Sequence, residues 1–504
     1  ITSFDQASTV YNGKQIITTR FDGWNIDMPI HENLWNHILF DETRGHGIHT
    51  LKGNNLNSHY HFWESPPTNS QIFDQAKEYD NPKEDWNMVN GDLDQFATDA
   101  HWAAEKTFDY YKSRLKFTNI GSNNNPFRIF VNADLPNIFS DYKNSVGAFW
   151  LSDINGVVLG KGGKDSKGQN YNPLVSLDVL GHEMTHSVIQ NTSNLGFGVN
   201  DINAAEPLIL QEGFSDIFGT CVEFFVKGAN GNWSTGENCG PAIRVYDHPE
   251  MLQMPSTYKG KFWFTLTDRN SDNVKRYTHD NSTVLSHWFY LLTVGGSGVN
   301  DNGCPYDVKG IGIEKAEQIA FYTNAYFLTN TSDFAETQRI SSLVAQLLYG
   351  YGSNEMMQTI NAWQAVGLSA PINYFPDAYS YCPGVSPIKV NYSGFCVDPG
   401  NLYILQISDA NGSFKNATNL GTLLSNSGAG SITGSTPINF PAGQNYKLRI
   451  VTTALFSISE VNKSSIEIKS NGPEPTITAS SNSICSLFGQ TSSILTAFST
   501  DAQD

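Results

Sequence analysis

Two histidines four positions apart, His182 and His186, can reach one point in space only if the backbone between them is helical. They lie in Gly181-His182-Glu183-Met184-Thr185-His186, followed after a gap by Gln211-Glu212-Gly213-Phe214-Ser215-Asp216. On a helix both imidazoles share one face and can hold one metal ion, while Glu183 projects beside that ion rather than onto it. Three protein ligands and one water make a catalytic zinc site, and a carboxylate near the water can take its proton. The competing reading is a surface helix with two incidental histidines. With 12 His in 504 residues, chance produces the pentapeptide at roughly one in a hundred.

A chain of 504 residues exceeds one compact domain, and two to four are expected. An apolar content of 39% with 12% aromatics supplies real cores. The net charge of −18 argues against nucleic acid or an anionic membrane as partner, because both reward Lys and Arg. No run of eighteen apolar residues occurs, so no membrane span is expected. The start at Ile1, in strand-like sequence without a basic, apolar leader, is what a mature secreted form lacking signal peptide and propeptide looks like. Cys382 and Cys396, in a loop-rich stretch, are the expected disulfide and imply an oxidising compartment. Cys221 lies on a helical apolar stripe and is expected as a buried free thiol, while Cys239, Cys304 and Cys485 have no deducible pairing.

Periodicity divides the chain. Residues 1–90 alternate in short runs such as Gln15-Ile16-Ile17-Thr18-Thr19, which predicts strands. A helix is predicted over 94–115, strand and loop over 127–172, and a flexible glycine-rich loop over 160–168. Ser176 is the expected N-cap of the motif helix, which fades near 191–194, and Pro207 suits the first turn of the next helix. There Leu210, Phe214, Ile217, Phe218, Cys221, Val222 and Phe225 form one stripe, with Glu212 and Asp216 four apart on another face. Further helices are predicted near 283–294, 313–328, 333–349 and 354–366. The expected organisation is therefore a β-rich lobe (1–180) and a helical lobe (181–369), with the motif at their junction, where clefts form. Beyond 369, alternating strands such as Leu402–Ile407 predict a β-sandwich module over 370–472, then a linker and partial strand segment over 473–504 that includes Pro473-Glu474-Pro475.

Asp178-Val179-Leu180-Gly181-His182-Glu183-Met184-Thr185-His186, followed by Glu212-Gly213-Phe214-Ser215-Asp216-Ile217-Phe218-Gly219-Thr220, closely resembles the thermolysin family of gluzincin metallopeptidases. Asp99-Ala100-His101-Trp102 with Tyr110-Tyr111, Ala148-Phe149-Trp150, Ala242-Ile243-Arg244 and Gly310-Ile311-Gly312 fall in family order, so the likeness covers about residues 8–369. The later module resembles β-sandwich domains appended to secreted proteases. The resemblance implies an α+β, two-lobed peptidase fold followed by the all-β module. It implies zinc held by His182, His186 and Glu212, Glu183 as general base and proton shuttle, and Asp216 orienting His182. His279 would stabilise the oxyanion, while Ala148 and Arg244 would contact substrate. Asp178, Glu223, Asn232 and Glu237 match the family's calcium ligands. Ser234 stands where a second shared carboxylate would be, so at least one structural calcium is expected and a second is not.

Several positions depart from the family pattern. The gap from His186 to Glu212 carries extra residues around 198–205, Phe197 replaces a tyrosine that assists the oxyanion, and Gly147 replaces an asparagine that binds substrate backbone. Asp272 is the candidate acidic partner of His279. The resemblance implies a secreted, monomeric zinc endopeptidase that acts on proteins or peptides through a metal-activated water. Leu174, Val179 and Ile243 match the apolar lining of the main specificity pocket, so cleavage is expected on the amino side of bulky apolar residues. Two other readings are a catalytically weak metal-binding scaffold and an adhesion protein whose β-module binds substrate or a surface.

Overall fold

In the computed structural model, the strands that read as unbroken apolar runs are those buried on both faces. The structure describes the chain outside residues 23–35, 57–67, 82, 87–93, 122–123, 198–205, 267–270, 351–352, 369–372, 394–401, 426, 428, 454–463, 471–475, 480–494 and 499–504. Strands β1 (Thr2–Ser8) and β2 (Lys14–Asp22) pair antiparallel, with Thr2 opposite Arg20, inside a five-stranded sheet. In a second sheet, β3 (Ile48–Lys52) lies parallel to β4 (Phe127–Ala133). Strand β5 (Ala148–Leu151) is followed by β6 (Gly156–Gly160), which lies parallel to β4 on its other side. Every residue of β6 is buried, as parallel central strands require, whereas β5 pairs only with β6 and stays half-buried at the sheet edge.

Helix α1 (Asp94–Arg114) packs on β2, β3 and β4 and also on α2 (Leu177–Gln190), which carries the paired histidines. Residues 177–189 of α2 are all buried, so this helix is an internal spine rather than an amphipathic surface element. Helix α3 (Glu206–Lys227) lies against it, followed by α4 (Ser271–Asn281), α5 (Thr283–Val294), α6 (Ile313–Tyr322), α7 (Phe334–Tyr349) and α8 (Asn354–Ala365). One core joins Ile129, Val131, Tyr111, Leu180, Met184, Phe218, Trp288 and Trp363. Each such fully buried apolar side chain contributes about 1.5–3 kcal/mol against exposure.

The chain separates into two compact units, Ile1–Ala370 and Pro371–Asp504. Among the described residues of the second, nine strands hydrogen-bond into three three-stranded sheets around a core of Ile388, Tyr403, Leu405, Ile432, Ile450 and Ile466. Leu402–Ile407 alternates inward and outward as its sequence predicts. A further two-stranded pair joins Thr476–Ala479 to Leu495–Phe498.

Several sequence expectations change. Helix α2 runs across position 180, so the lobe boundary drawn there cuts through a continuous helix. The 160–168 segment is no free loop, since Gly163-Lys164 pairs with Asn170-Tyr171 in a short hairpin whose turn uses positive φ at Gly168. Ser176 occupies the N-cap position without a side-chain cap, its Oγ instead accepting from the Cys239 thiol at 3.4 Å. Cys382 is a free, exposed thiol rather than half of a disulfide, while Cys304 is disulfide-bonded. Sequence spacing says nothing about whether two Cβ atoms meet in the narrow geometry a disulfide needs. Cys221 is a buried free thiol, as is Cys239. Cys396, Cys485, the inserted 198–205 and the 473–475 linker lie outside the described residues.

Candidate active site

Close approach of two helices builds the site. A Cβ on Gly181 of α2 would stand 3.1 Å from the Gly219 Cα of α3, and one on Gly219 would collide with the Asp178 carbonyl. Two glycines facing each other let the backbones touch, which brings Glu212 within reach of both histidines. His182 Nε2 then lies 3.2 Å from His186 Nε2 and 3.3 Å from Glu212 Oε2, and His186 Nε2 lies 3.8 Å from Glu212 Oε1. All three residues offer ligand atoms within 4.8 Å of one another, the only such set among the described residues.

The far sides of the rings explain why these atoms converge. His182 Nδ1 faces Asp216 Oδ1 at 2.8 Å. Burial works against its charge, but Asp216 and Glu212 hold the imidazole up at about 10, so a metal bound at Nε2 would displace a proton there. His186 Nδ1 meets Ser215 Oγ at 3.3 Å, and burial holds that imidazole down at about 4, neutral at ordinary pH. Glu212 Oε2 is buried without a hydrogen-bond partner. A cation at this point would replace the His182 Nε2 proton and be met by both imidazoles and the Glu212 carboxylate. The donor set of two imidazoles and one carboxylate fits zinc.

Asp216 is fully buried and shared. Burial works to raise its pKa, but the charges of Arg244 and His182 hold it below the usual carboxylate range. It accepts from Arg244 Nε at 2.8 Å, from Arg244 Nη2 at 2.5 Å and from Ser282 Oγ at 3.2 Å. Arg244, expected on a substrate carbonyl, therefore commits two of its nitrogens to Asp216. Glu183 accepts from the Trp150 backbone N–H of β5, and burial pushes its carboxyl up to about 7.

His279 stands on a helix. It sits in α4, with Nε2 3.4 Å from Glu212 Oε2. Its Nδ1 lies 3.0 Å from the Lys275 carbonyl and 2.9 Å from Thr278 Oγ1. Asp272, two helical turns earlier, is not its partner, and the carbonyl takes the orienting role instead. Nδ1 therefore carries the proton, and donation from Nε2 requires the imidazolium.

A cleft of about 370 Å³ gathers His182, Glu183, His186, Glu212 and His279 with Gly147, Ala148 and Phe197. The same cleft includes Tyr142, Gln211 and Lys275, which the sequence reading missed. Lys275 lies one helical turn before His279, and its ammonium sits 4.5 Å from the centre of the Tyr142 ring. Reading α4 as a helix would have placed Lys275 on the His279 face; Tyr142 has no local signal. Leu174, Val179 and Ile243 come together in one apolar cluster with Ala148, completed by Cys239.

The expected calcium ligands also approach one another, less tightly. Asn232 Nδ2 donates to Glu237 Oε1 at 2.9 Å and to Glu223 Oε1 at 3.3 Å, while Asp178 Oδ2 accepts from the Gly236 N–H at 2.6 Å. Lys227 Nζ pairs with Glu223 Oε1 at 2.7 Å, and Glu237 Oε2 is buried without a hydrogen-bond partner.

Comparison with known proteins gives two adjoining matches. The family model described as "Thermolysin metallopeptidase, catalytic domain" matches residues 20–190, and "Thermolysin metallopeptidase, alpha-helical domain" matches 205–368. The chain is 32% identical over 292 residues to bacillolysin of Bacillus cereus, covering 56% of this chain and 45% of that protein. It is 30% identical over 341 residues to a thermolysin of Alicyclobacillus acidocaldarius subsp. acidocaldarius, covering 66% and 53%. The chain thus spans about half the length of the curated relatives it matches. A solved structure, the precursor of protealysin, a metalloproteinase from Serratia proteamaculans, aligns at 22% identity and a TM-score of 0.42, over 58% of this chain and 82% of that one.

Proposed function

Because the chain belongs to the thermolysin metallopeptidase family, we propose that it is an extracellular zinc-dependent endopeptidase acting on protein or peptide substrates. The observation that carries this reading is the convergence of His182, His186 and Glu212 beside a buried Glu183 in an open cleft. Held by those three side chains, zinc would supply Lewis acidity that lowers the pKa of a water and polarises a carbonyl.

The chain's own residues would do the rest. Strand β5 is a sheet edge, and apart from the Trp150 N–H held by Glu183 its outward backbone groups suit an extended peptide laid along it, with Ala148 at the cleft wall. Glu183 would take a proton from the attacking water and pass it to the leaving amine, for which a carboxyl raised to about 7 is well matched. His279 as imidazolium would donate from Nε2 to the developing oxyanion. Asp216 would hold the His182 Nδ1 proton and leave Nε2 to the metal, and Arg244 would keep Asp216 ionised. The cluster of Leu174, Val179 and Ile243 beside Ala148 supports a preference for bulky apolar residues on the carboxyl side of the scissile bond. The disulfide at Cys304 fits an oxidising compartment, and no helix among the described residues is long and apolar enough to cross a membrane. Residues 370–472 would act as a separate accessory β-module.

A mixed peptide library incubated with the protein tests this reading. Cuts are expected before Leu, Phe or Ile, with activity abolished by 1,10-phenanthroline and restored by added zinc. Activity insensitive to the chelator would reject the zinc assignment, and cuts directed by charge at that position would reject the pocket assignment.

We further propose one structural calcium at Asp178, Glu223 and Glu237, where hard oxygen donors and an unsatisfied buried Glu237 Oε2 meet. Burial, then the Asp178 charge, pushes Glu223 up to about 7 from an ordinary 4.5. A carboxyl whose folded pKa is raised favours the folded state at low pH and loses that contribution as pH climbs. After EGTA treatment, thermal stability should therefore fall as pH rises between about 4.5 and 7, and added calcium should restore it most at the upper end. Equal melting temperatures with and without calcium at pH 7 would overturn the site.

A further inference from the structure

A second cavity of about 440 Å³ lies in the first unit and shares no lining residue with the catalytic cleft. Its walls come from the 247–262 segment, from α5, and from the hairpin of Gly295–Val299 with Pro305–Lys309. Asp247, Glu250 and Asp301 line it, against a single lysine, Lys261, whose ammonium is turned over the Phe262 ring at 4.8 Å.

The carboxylates are only partly used. Asp247 Oδ1 accepts from the His248 N–H at 3.0 Å, Glu250 Oε1 meets His248 Nδ1 at 3.1 Å, and Asp301 Oδ2 accepts from the Lys261 N–H at 2.9 Å. Each keeps one oxygen without a protein partner among the described residues. A fourth acceptor comes from below. His287 is 8% exposed, lies flat against the Tyr290 ring with centroids 5.9 Å apart, and donates from Nδ1 to the Tyr246 carbonyl at 2.7 Å. Burial lowers its pKa, so the ring is neutral and Nε2 carries a bare lone pair that no protein donor among the described residues satisfies.

These groups choose among ligands. An anion would meet three carboxylates. A metal ion needs its ligands drawn together, and among the described residues no shared donor links Asp247, Glu250 and Asp301 in the way Asn232 links Glu223 to Glu237. What remains is a donor-rich organic cation that can reach several separated acceptors and lie against aromatic rings. A guanidinium has five N–H donors, no acceptor and a flat face that stacks on tyrosine, and Tyr290 and Tyr306 both line the cavity.

We propose that this cavity is a guanidinium site that takes an arginine side chain of a bound polypeptide. It would anchor basic segments away from the catalytic cleft, whatever chemistry that cleft performs.

The test is calorimetric titration of the full chain with N-acetyl-arginine amide, using the uncharged isostere N-acetyl-citrulline amide as control. The arginine probe should bind at one site, at least about ten-fold more tightly than citrulline. The Asp247→Asn, Glu250→Gln double variant changes one half-buried and one exposed side chain, keeps their size, and should weaken arginine binding about ten-fold while unfolding at the same temperature. His287→Phe, which removes the Nε2 acceptor together with the Nδ1 donor to the Tyr246 carbonyl, should weaken it independently, with its unfolding temperature read beside the binding. Equal binding of the two probes, or unchanged arginine binding in the double variant, would overturn the proposal.

Discussion

Replacing Glu183 with glutamine is expected to lower peptide hydrolysis by about 10³–10⁴-fold while zinc content and folding stay as they are. The amide keeps the size of the carboxylate and an oxygen to accept from the Trp150 N–H, so the α2–β5 junction is preserved. It cannot accept a proton from water. Stability should not suffer either, because burial already disfavours the ionised carboxyl and raises it to about 7. The check is a fluorogenic peptide assay beside elemental zinc analysis and a melting curve. Activity within ten-fold of wild type would remove Glu183 from its role; loss of zinc along with activity would mean that Glu183 acts as a ligand.

Asp216→Ala should be the most damaging single change to the scaffold of the site. It leaves the Arg244 guanidinium, 5% exposed, without its bidentate partner. Removing one member of a buried pair costs about 3–5 kcal/mol, most of it the desolvated charge left behind. His182 also loses the acceptor at its Nδ1, which should weaken zinc binding about 10–100-fold. Urea unfolding and zinc competition titrations read the two effects separately. The milder Asp216→Asn keeps the volume and reports on zinc affinity should the alanine variant not fold. A cost under about 1 kcal/mol would mean that Arg244 finds another partner and that the shared carboxylate is not what holds the site.

Much of this was legible along the chain. Helices α1, α5, α7 and α8 match their predicted spans closely because each repeats buried apolar positions at helical spacing. Helix α4 was missed for the opposite reason. Its sequence, Ser-Asp-Asn-Val-Lys-Arg-Tyr-Thr-His-Asp-Asn, offers only Val274 and Tyr277 as apolar residues, and the rest of its inner face is the polar Thr278 and Asn281, so its helicity depends on docking against α3 and α5. That omission hid Lys275 and led to Asp272 being paired with His279. Tyr142 was missed because it reaches the cleft from a loop between β4 and β5, where no periodicity exists to be read. The Cys382 expectation failed because it used sequence distance in place of Cβ geometry.

The sequence by itself determined the face of α2. Residues four apart on a helix must stack, so His182 and His186 share an edge whatever the rest of the chain does. The tertiary structure decided everything that meets that edge. Glu212 reaches it because Gly181 and Gly219 let two helices touch, Asp216 because Arg244 and Ser282 close around it, and His279 because α4 docks above. The physical reason is that hydrogen-bonded helical geometry is local and repeats at fixed intervals. Helix crossing and side-chain packing instead depend on volumes contributed from distant parts of the chain.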